Sequence, residues 1–325
     1  MEPHFTVPTY QSVGTVTHGT PTNVKATGSK GAATVTWSGS TNPGGAPIIG
    51  YRVTTYDQFG AGDSVDLPAS ARSASITGLD NGLPVSFVVR ANNSGGYSPQ
   101  STASPVIIPP FSSAASFIKR MALDFLGRNP TTAETNAALP YIHLGISPGA
   151  TAYNFRKSSD GTTTVDPTAR LYFAYMQRIP DKGGFQFWLG KKRSGWTLAR
   201  MSQTFATSSE FINKYGALTN RQFVTLIYTD VMQRPADAAG VNYWTAQLDT
   251  KKKNRGEVMI GFSESSEYKH RKAAEVDVAV TMISMLQANP DPTEYANNVT
   301  FLKSGNYLAA LAAQILKDPR FTARF

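Results

Sequence analysis

Ile227-Tyr-Thr-Asp-Val-Met-Gln-Arg234-Pro235-Ala-Asp237-Ala-Ala-Gly240-Val-Asn-Tyr243-Trp244 repeats, with small changes, Leu171-Tyr-Phe-Ala-Tyr-Met-Gln-Arg178-Ile-Pro180-Asp181-Lys-Gly-Gly-Phe-Gln-Phe187-Trp188. Arg178 and Arg234 lie 56 positions apart, as do Trp188 and Trp244. The closing stretches Phe205-Ala-Thr-Ser208-Ser209-Glu210-Phe211 and Phe262-Ser-Glu-Ser265-Ser266-Glu267-Tyr268 follow at a spacing of 57. Self-similarity at such a period marks stacked structural repeats. Phe223, Leu226, Ile227 and Val231 recur at helical spacing before Pro235, which cannot continue a helix. Asp237 is placed to cap the next helix, and Ser265 or Ser266 a further one. Each unit therefore reads as short helices that need neighbours to bury their apolar faces.

Two weaker copies flank these. Phe125-Leu-Gly-Arg128-Asn-Pro130 and Phe155-Arg-Lys-Ser158-Ser159-Asp160 precede their counterparts by 50 residues. Met285-Leu-Gln-Ala-Asn-Pro290-Asp and Ile315-Leu-Lys-Asp318-Pro-Arg-Phe321 keep the outline without the arginine or tryptophan. Degraded outer copies around two good ones are the pattern of capping repeats.

Upstream the periodicity changes. Ala33-Thr-Val-Thr-Trp37, Tyr51-Arg-Val-Thr-Thr-Tyr56, Ser73-Ala-Ser-Ile-Thr77 and Val85-Ser-Phe-Val-Val-Arg-Ala91 alternate with period two. Turn signals such as Asn42-Pro-Gly-Gly45 and Asp80-Asn-Gly82 separate them. Regular short strands without a helical period predict an antiparallel sandwich. The fold class is thus multidomain, an all-β sandwich plus an all-α repeat domain. The predicted boundaries are an arm at 1–19, the sandwich at 20–108, a linker at 109–116 and about four repeats over 117–325.

Both halves resemble known families. Pro21-x-x-Val24, Val35-x-Trp37, Ile49-Gly-Tyr51-Arg-Val53, Leu79 and Phe87-x-Val89-x-Ala91-x-Asn93 resemble the fibronectin type III family, with Val85 where its usual corner tyrosine stands. That resemblance implies core packing for Trp37, Tyr51 and Phe87 and a spacer or display role. The Arg-Pro-x-Asp-x-x-Gly-x-x-Tyr-Trp and Phe-x-x-Ser-x-Glu-Phe/Tyr outlines resemble a bacterial repeat domain of unknown function. That domain is found in RTX-type and surface-layer-associated exoproteins and in minor tail proteins of actinobacterial phages. It implies an extracytoplasmic context and no agreed chemistry. The calcium-binding glycine-rich nonapeptides of RTX proteins are missing, so calcium is not implied.

The chain of 325 residues carries a net charge of +9 and no cysteine. Residues 1–110 hold five basic and five acidic side chains, so the whole excess falls beyond them. Disulfides and thiolate sites are excluded, and no apolar run is long enough for a membrane span. Met1-Glu-Pro-His4-Phe-Thr-Val-Pro-Thr-Tyr10 has no basic start and no apolar stretch, so as a native start it predicts no ordinary export signal.

The recurring Arg178 and Arg234, Asp181 and Asp237, Glu210 and Glu267, Trp188 and Trp244 read as a structural clamp and core of the repeat. Trp196 stands apart, beside Lys191, Lys192 and Arg193, while Lys251, Lys252, Lys253 and Arg255 occupy the same region of the next copy. These form the candidate contact to a partner subunit or anionic envelope polysaccharide, in solvated inter-helix loops. Nucleic acid ranks last, since no recognised binding motif accompanies the charge.

Enzyme motifs do not hold. Gly145-Ile-Ser147-Pro148-Gly149 spells a nucleophile elbow, but Pro148 lacks the N–H that its oxyanion hole requires, so the stretch reads as a turn. His4, His18, His143 and His270 include no pair at zinc-ligand spacing, and no cofactor, metal or small-molecule substrate is expected. The leading expectation is a non-enzymatic structural and adhesive protein of a virion tail, baseplate or decoration, in a homo- or hetero-oligomeric assembly. A cell-surface adhesin or exoprotein binding envelope glycans, and a glycan-modifying enzyme with an accessory sandwich, are the alternatives.

Overall fold

The computed structural model describes residues 18–143 and 147–325. The arm predicted at 1–19 therefore lies outside the described residues except for its last two. His18 is buried and donates from Nε2 to Ala91 O at 2.9 Å, and Gly19 N bonds Asn42 O. The chain forms two compact units, Met1–Phe155 with Ala309–Phe325, and Arg156–Leu308.

The first unit begins with seven strands: β1 (Thr22–Ser29), β2 (Ala32–Ser38), β3 (Gly50–Asp57), β4 (Gly60–Pro68), β5 (Ser73–Thr77), β6 (Ser86–Asn93) and β7 (Gly96–Tyr97). They make two antiparallel sheets in the orders β1-β2-β5 and β4-β3-β6-β7. The alternation read in β2 and β5 is an inside-outside alternation, with Ala33, Val35, Trp37, Ala74 and Ile76 turned inward. Trp37 meets Tyr51 at 5.7 Å, and Val53, Phe87, Val89 and Ala91 close the core. β4 escaped sequence reading because its residues are almost all exposed and carry no alternating apolar set. Val85 exchanges both backbone hydrogen bonds with Ile107.

Beyond β7 the edge of β6 is covered by a device with period three. Ser98, Ser101 and Ser104 donate their N–H groups to Ala91, Val89 and Phe87 carbonyls at 2.8, 3.0 and 2.8 Å. Their hydroxyls accept the N–H groups of those same three residues at 3.0, 2.9 and 3.1 Å. Each β6 residue thus donates to a serine hydroxyl in place of a backbone carbonyl and accepts from the same serine's N–H.

The helices follow the repeat. The first copy is α1 (Ala114–Leu126), α2 (Thr132–His143) and α3 (Pro148–Arg156). The second is α4 (Asp166–Tyr175), α5 (Lys182–Arg193), α6 (Leu198–Ala206) and α7 (Ser209–Tyr215). The third is α8 (Asn220–Leu226), α9 (Ala238–Asp249), α10 (Arg255–Ser263) and α11 (Ser266–Arg271). The fourth is α12 (Ala273–Leu286), α13 (Pro292–Lys303), α14 (Leu308–Lys317) and α15 (Pro319–Thr322). π-helical turns at Gly161–Val165 and Ile227–Val231 lead into α4 and extend α8.

Register is kept by backbone chemistry. Gly127, Gln177, Gln233 and Gln287 hold positive φ values of 67°, 51°, 49° and 53° just past the first helix of each copy. The third copy's first helix thus ends before the left-handed Gln233, and Pro235 only follows it. Four residues later Thr131, Asp181, Asp237 and Asp291 cap the second helix, and Ser208, Ser265 and Asp318 cap the last. Ser147 Oγ accepts from Gly149 N at the start of α3, so the stretch read as a turn opens a helix, with Gly145 outside the described residues.

Glycines set two tight helix contacts. A Cβ on Gly149 would sit 2.1 Å from Ala309 O, and one on Gly256 2.4 Å from Gln203 N, where α10 packs on α6. In the first unit Phe111, Phe321 and Phe325 cluster, and Arg324 pairs with the fully buried Asp124 side chain of α1 at 2.7 Å.

Ser101→Ala leaves Val89 N–H without a partner in the sandwich and should cost about 1–3 kcal/mol by chemical denaturation. Gly256→Val should lower the melting temperature sharply, whereas Gly190→Ala, in helical α5 with open space around its added methyl, should raise it slightly.

Candidate functional site

The repeated arginine sits where the left-handed glutamine leaves it, between two helix N-termini. Arg178 donates from Nε to Glu210 Oε1 at 2.7 Å and from Nη1 to Asp181 Oδ2 at 3.1 Å, and its guanidinium lies 5.4 Å from the Tyr172 ring centre. Arg234 stands in the same frame, 3.4 Å from Glu267, 3.9 Å from Asp237 and 5.0 Å from the Tyr228 ring. In the first copy Arg128 instead forms a two-pronged pair with Glu134, at 2.8 Å on each prong. The Gly184 N–H, and then Arg178, hold the Asp181 carboxyl below its ordinary range. These groups are partly exposed, so each pair contributes little to stability and mainly fixes where the helices begin.

Trp188 and Trp244 are half-buried. Trp188 packs on Phe205 at 4.8 Å and Trp244 on Phe262 at 5.4 Å, while Tyr172 and Tyr228 meet the same two phenylalanines edge-on. The residue before each tryptophan points outward. Phe187 and Tyr243 are both 55% exposed and stand edge-on to Trp188 and Trp244 at 5.2 and 5.1 Å. Sequence reading missed this pair, although the 56-residue spacing that aligns the tryptophans also aligns their neighbours.

Trp196 joins this face. Its ring lies 6.4 Å from Trp188, Lys191 Nζ stands 5.3 and 5.2 Å from the Phe187 and Trp196 rings, and the Arg200 guanidinium covers Trp196 at 3.6 Å. The indole is thus already engaged by the Arg200 guanidinium, Lys191 and Trp188, which suits a protein contact better than an open platform for a sugar ring.

Of the two basic runs, only the first departs as a whole from the solvated loop that its sequence predicts. Lys191, Lys192 and Arg193 form the last turn of α5, where the helix dipole favours cations, and Arg193 pairs with Asp160 at 2.6 Å. Lys251, Lys252 and Lys253 do lie in a turn, with Lys251 at φ 55°. Arg255 is turned inward. It donates to Asn220 Oδ1 and Leu218 O and stacks 5.1 Å from Phe223.

The strongest charge cluster was not foreseen. Arg156, only 1% exposed, bridges Asp166 Oδ1 at 2.6 Å and Asp277 Oδ1 at 2.8 Å. Lys157 reaches Asp277 at 2.5 Å, and Arg170 holds Glu264 with two bonds of 2.7 and 2.6 Å. Lys157 and Glu264 are 107 positions apart, and so are Arg170 and Asp277. Equivalent positions of two inter-repeat junctions therefore carry opposite charges and pair crosswise. Among the described residues no group of three His, Asp or Glu could hold a metal ion, and no helix is long and apolar enough to cross a membrane.

The geometry defines a β-sandwich of the fibronectin type joined to a helical-repeat scaffold. Residues 19–107 form a fibronectin type III domain, and residues 202–272 match a domain of unknown function, DUF4214, which ends at Lys272 of the third copy. Solved structures similar to the sandwich include titin domains at 23% identity, covering 28% of this chain and 32% of theirs, with a TM-score of 0.26. Chicken CNTN1 FN1–FN3 domains follow at 23% identity, covering 29% of this chain and 32% of theirs, with a TM-score of 0.26. A myokine structure matches at 20% identity, covering 29% of this chain and 99% of its own, with a TM-score of 0.25. The chain spans about a third of the length of the titin structure it matches. Among curated proteins none matches.

Arg178→Ala should cost ~0.5–1 kcal/mol of unfolding free energy and Arg156→Ala about 3 kcal/mol, because the second leaves the buried Asp166 without its cation while Asp277 keeps Lys157. Because the Asp181 pKa is lowered on folding, its stabilisation is complete above the usual carboxylate pKa and is lost as the pH falls through that range. Asp181→Asn should therefore flatten the fall in melting temperature between about pH 5 and about pH 3.

Proposed function

We propose that this protein is a non-enzymatic structural and adhesive subunit in which the sandwich spaces a helical scaffold from its attachment point. The observation that supports this reading is the pair of outward aromatics, Phe187 and Tyr243, presented in the same register by α5 and α9. Exposed aromatic side chains with Arg nearby match the composition of protein contact centres, whereas the lysines suit their rim. The recurring arginines, acids and tryptophans beneath them are engaged within the scaffold. The fibronectin type III domain agrees with a binding or structural role.

The assembly we favour is a virion tail, baseplate or decoration, with neighbouring subunits as partners. A second reading, a cell-surface adhesin or exoprotein contacting anionic envelope glycans, is favoured by the lysines beside the aromatics, Lys191 and Lys192 at the end of α5 and Lys251 to Lys253 after α9. Mass spectrometry of purified particles and of cell-surface fractions distinguishes the two locations. Release of new reducing ends from envelope polysaccharide would instead indicate a glycan-modifying enzyme.

Phe187→Ala with Tyr243→Ala should remove the protein from its assembly, or from sedimented envelope material, with the melting temperature nearly unchanged. Full retention of the double variant would overturn this reading.

A further inference from the structure

The crossed ion pairs of the second unit flank a cleft of about 320 Å³. One wall is Lys157, Thr162, Asp166 and Arg170, from the junction that runs through the π-helical turn into α4. The other is Lys269, Lys272, Ala273, Val276 and Asp277, from the junction between α11 and α12. Four cations and two carboxylates line the space. Both carboxylates are already engaged, Asp166 by Arg156, and Asp277 by Arg156 and Lys157. Arg170 is matched by both oxygens of Glu264.

Among the described residues, two ammonium groups have only long carboxylate contacts, each to an oxygen shared with another cation. Lys269 stands 3.3 Å from a Glu264 oxygen that Arg170 already fills. Lys272, with its side chain 17% exposed, has Glu275 as its carboxylate among the described residues, at 3.8 Å. That same Glu275 oxygen accepts from Lys303 at 2.9 Å. Burial pulls the Lys272 ammonium down from its ordinary range against the opposing pull of Glu275, and Arg271 and Lys303 add to the lowering. A largely buried lysine whose carboxylate stands 3.8 Å away is stabilised by an anion brought to it.

We propose that this cleft binds a phosphorylated sugar of about monosaccharide size, its phosphate held between Lys269 and Lys272. Lysine ammoniums act as point charges that suit a phosphate, and the whole cleft volume matches the lower end of small-ligand pockets. Ala273 and Val276 offer an apolar floor for the sugar carbons, as polyol recognition needs. The same chemistry could be presented by a free sugar phosphate or by one unit of a phosphate-linked envelope polymer. The site lies on different residues from the α5 and α9 aromatic pair, so each reading stands or falls separately.

The test is calorimetric titration of the full chain, at low salt, with a hexose 6-phosphate, inorganic phosphate and a neutral hexose. Saturable binding of the hexose phosphate, weaker binding of inorganic phosphate and none of the neutral hexose are expected. Lys272→Met should weaken hexose phosphate binding at least about tenfold, as the loss of a charge-assisted contact predicts. Lys192→Met, outside the cleft, should leave it unchanged. If Lys272→Met does not fold by circular dichroism, Lys269→Met, at a more exposed position, serves instead and should weaken binding severalfold. Co-sedimentation with a glycerol-phosphate polymer assigns the polymer as the source, and binding of the monoester alone assigns the free sugar phosphate. No saturable binding by the wild type, equal binding of the neutral hexose, or cleft-variant titrations that overlay the wild type would each overturn the proposal.

Discussion

Arg156 is a guanidinium almost wholly removed from water, and the second unit is organised around its neutralisation. A charge buried this deeply is tolerable only with carboxylates beside it. Asp166 and Asp277 supply them from two segments that are 111 residues apart in the chain. The requirement joins the entry of α4 to α12, and the Lys157–Asp277 and Arg170–Glu264 pairs repeat the same crossing on either side. Because at the two crossed positions one junction supplies Lys157 and Arg170 and the other Glu264 and Asp277, pairing those positions with copies of themselves would set like charges together. That inversion selects the partner among repeats of similar shape.

Around this crossing the repeat uses inexpensive local devices. A left-handed residue ends the first helix, a Thr or Asp starts the second, and a Ser or Asp starts the last. A cation near the end of the last helix then returns to the first. Lys214 bonds Met176 O, Arg271 bonds Met232 O, and Arg324 pairs with Asp124 of α1. The last of these differs from the others in its partner. It ties the end of the chain to the opening copy within the first unit, which gives the degraded outer repeats a shared task.

The sandwich meets a comparable constraint at its edge. The segment after β7 is not a regular strand, and along it three serines at a spacing of three satisfy β6 with hydroxyls in place of carbonyls. Such an edge keeps its hydrogen bonds internal and offers little to a passing strand.

Much of this molecule was legible before its structure. Alternation with period two marked β2, β3, β5 and β6, and recurrence near 56 residues marked the helical copies, their Asp and Ser caps and the Arg178 and Arg234 frames. These are local properties, set by side-chain periodicity and by the donors that a helix start leaves open. What sequence could not show was direction in space. Whether Phe187 faces out while Trp188 faces in, whether Arg255 turns toward Asn220 or toward solvent, and which junction meets which across 107 residues depend on helix packing. A side chain's charge is written in the chain, but its desolvation is decided by the neighbours that tertiary structure brings. For Arg156 and Lys272 that desolvation is the whole difference between an ordinary surface cation and one that demands a partner.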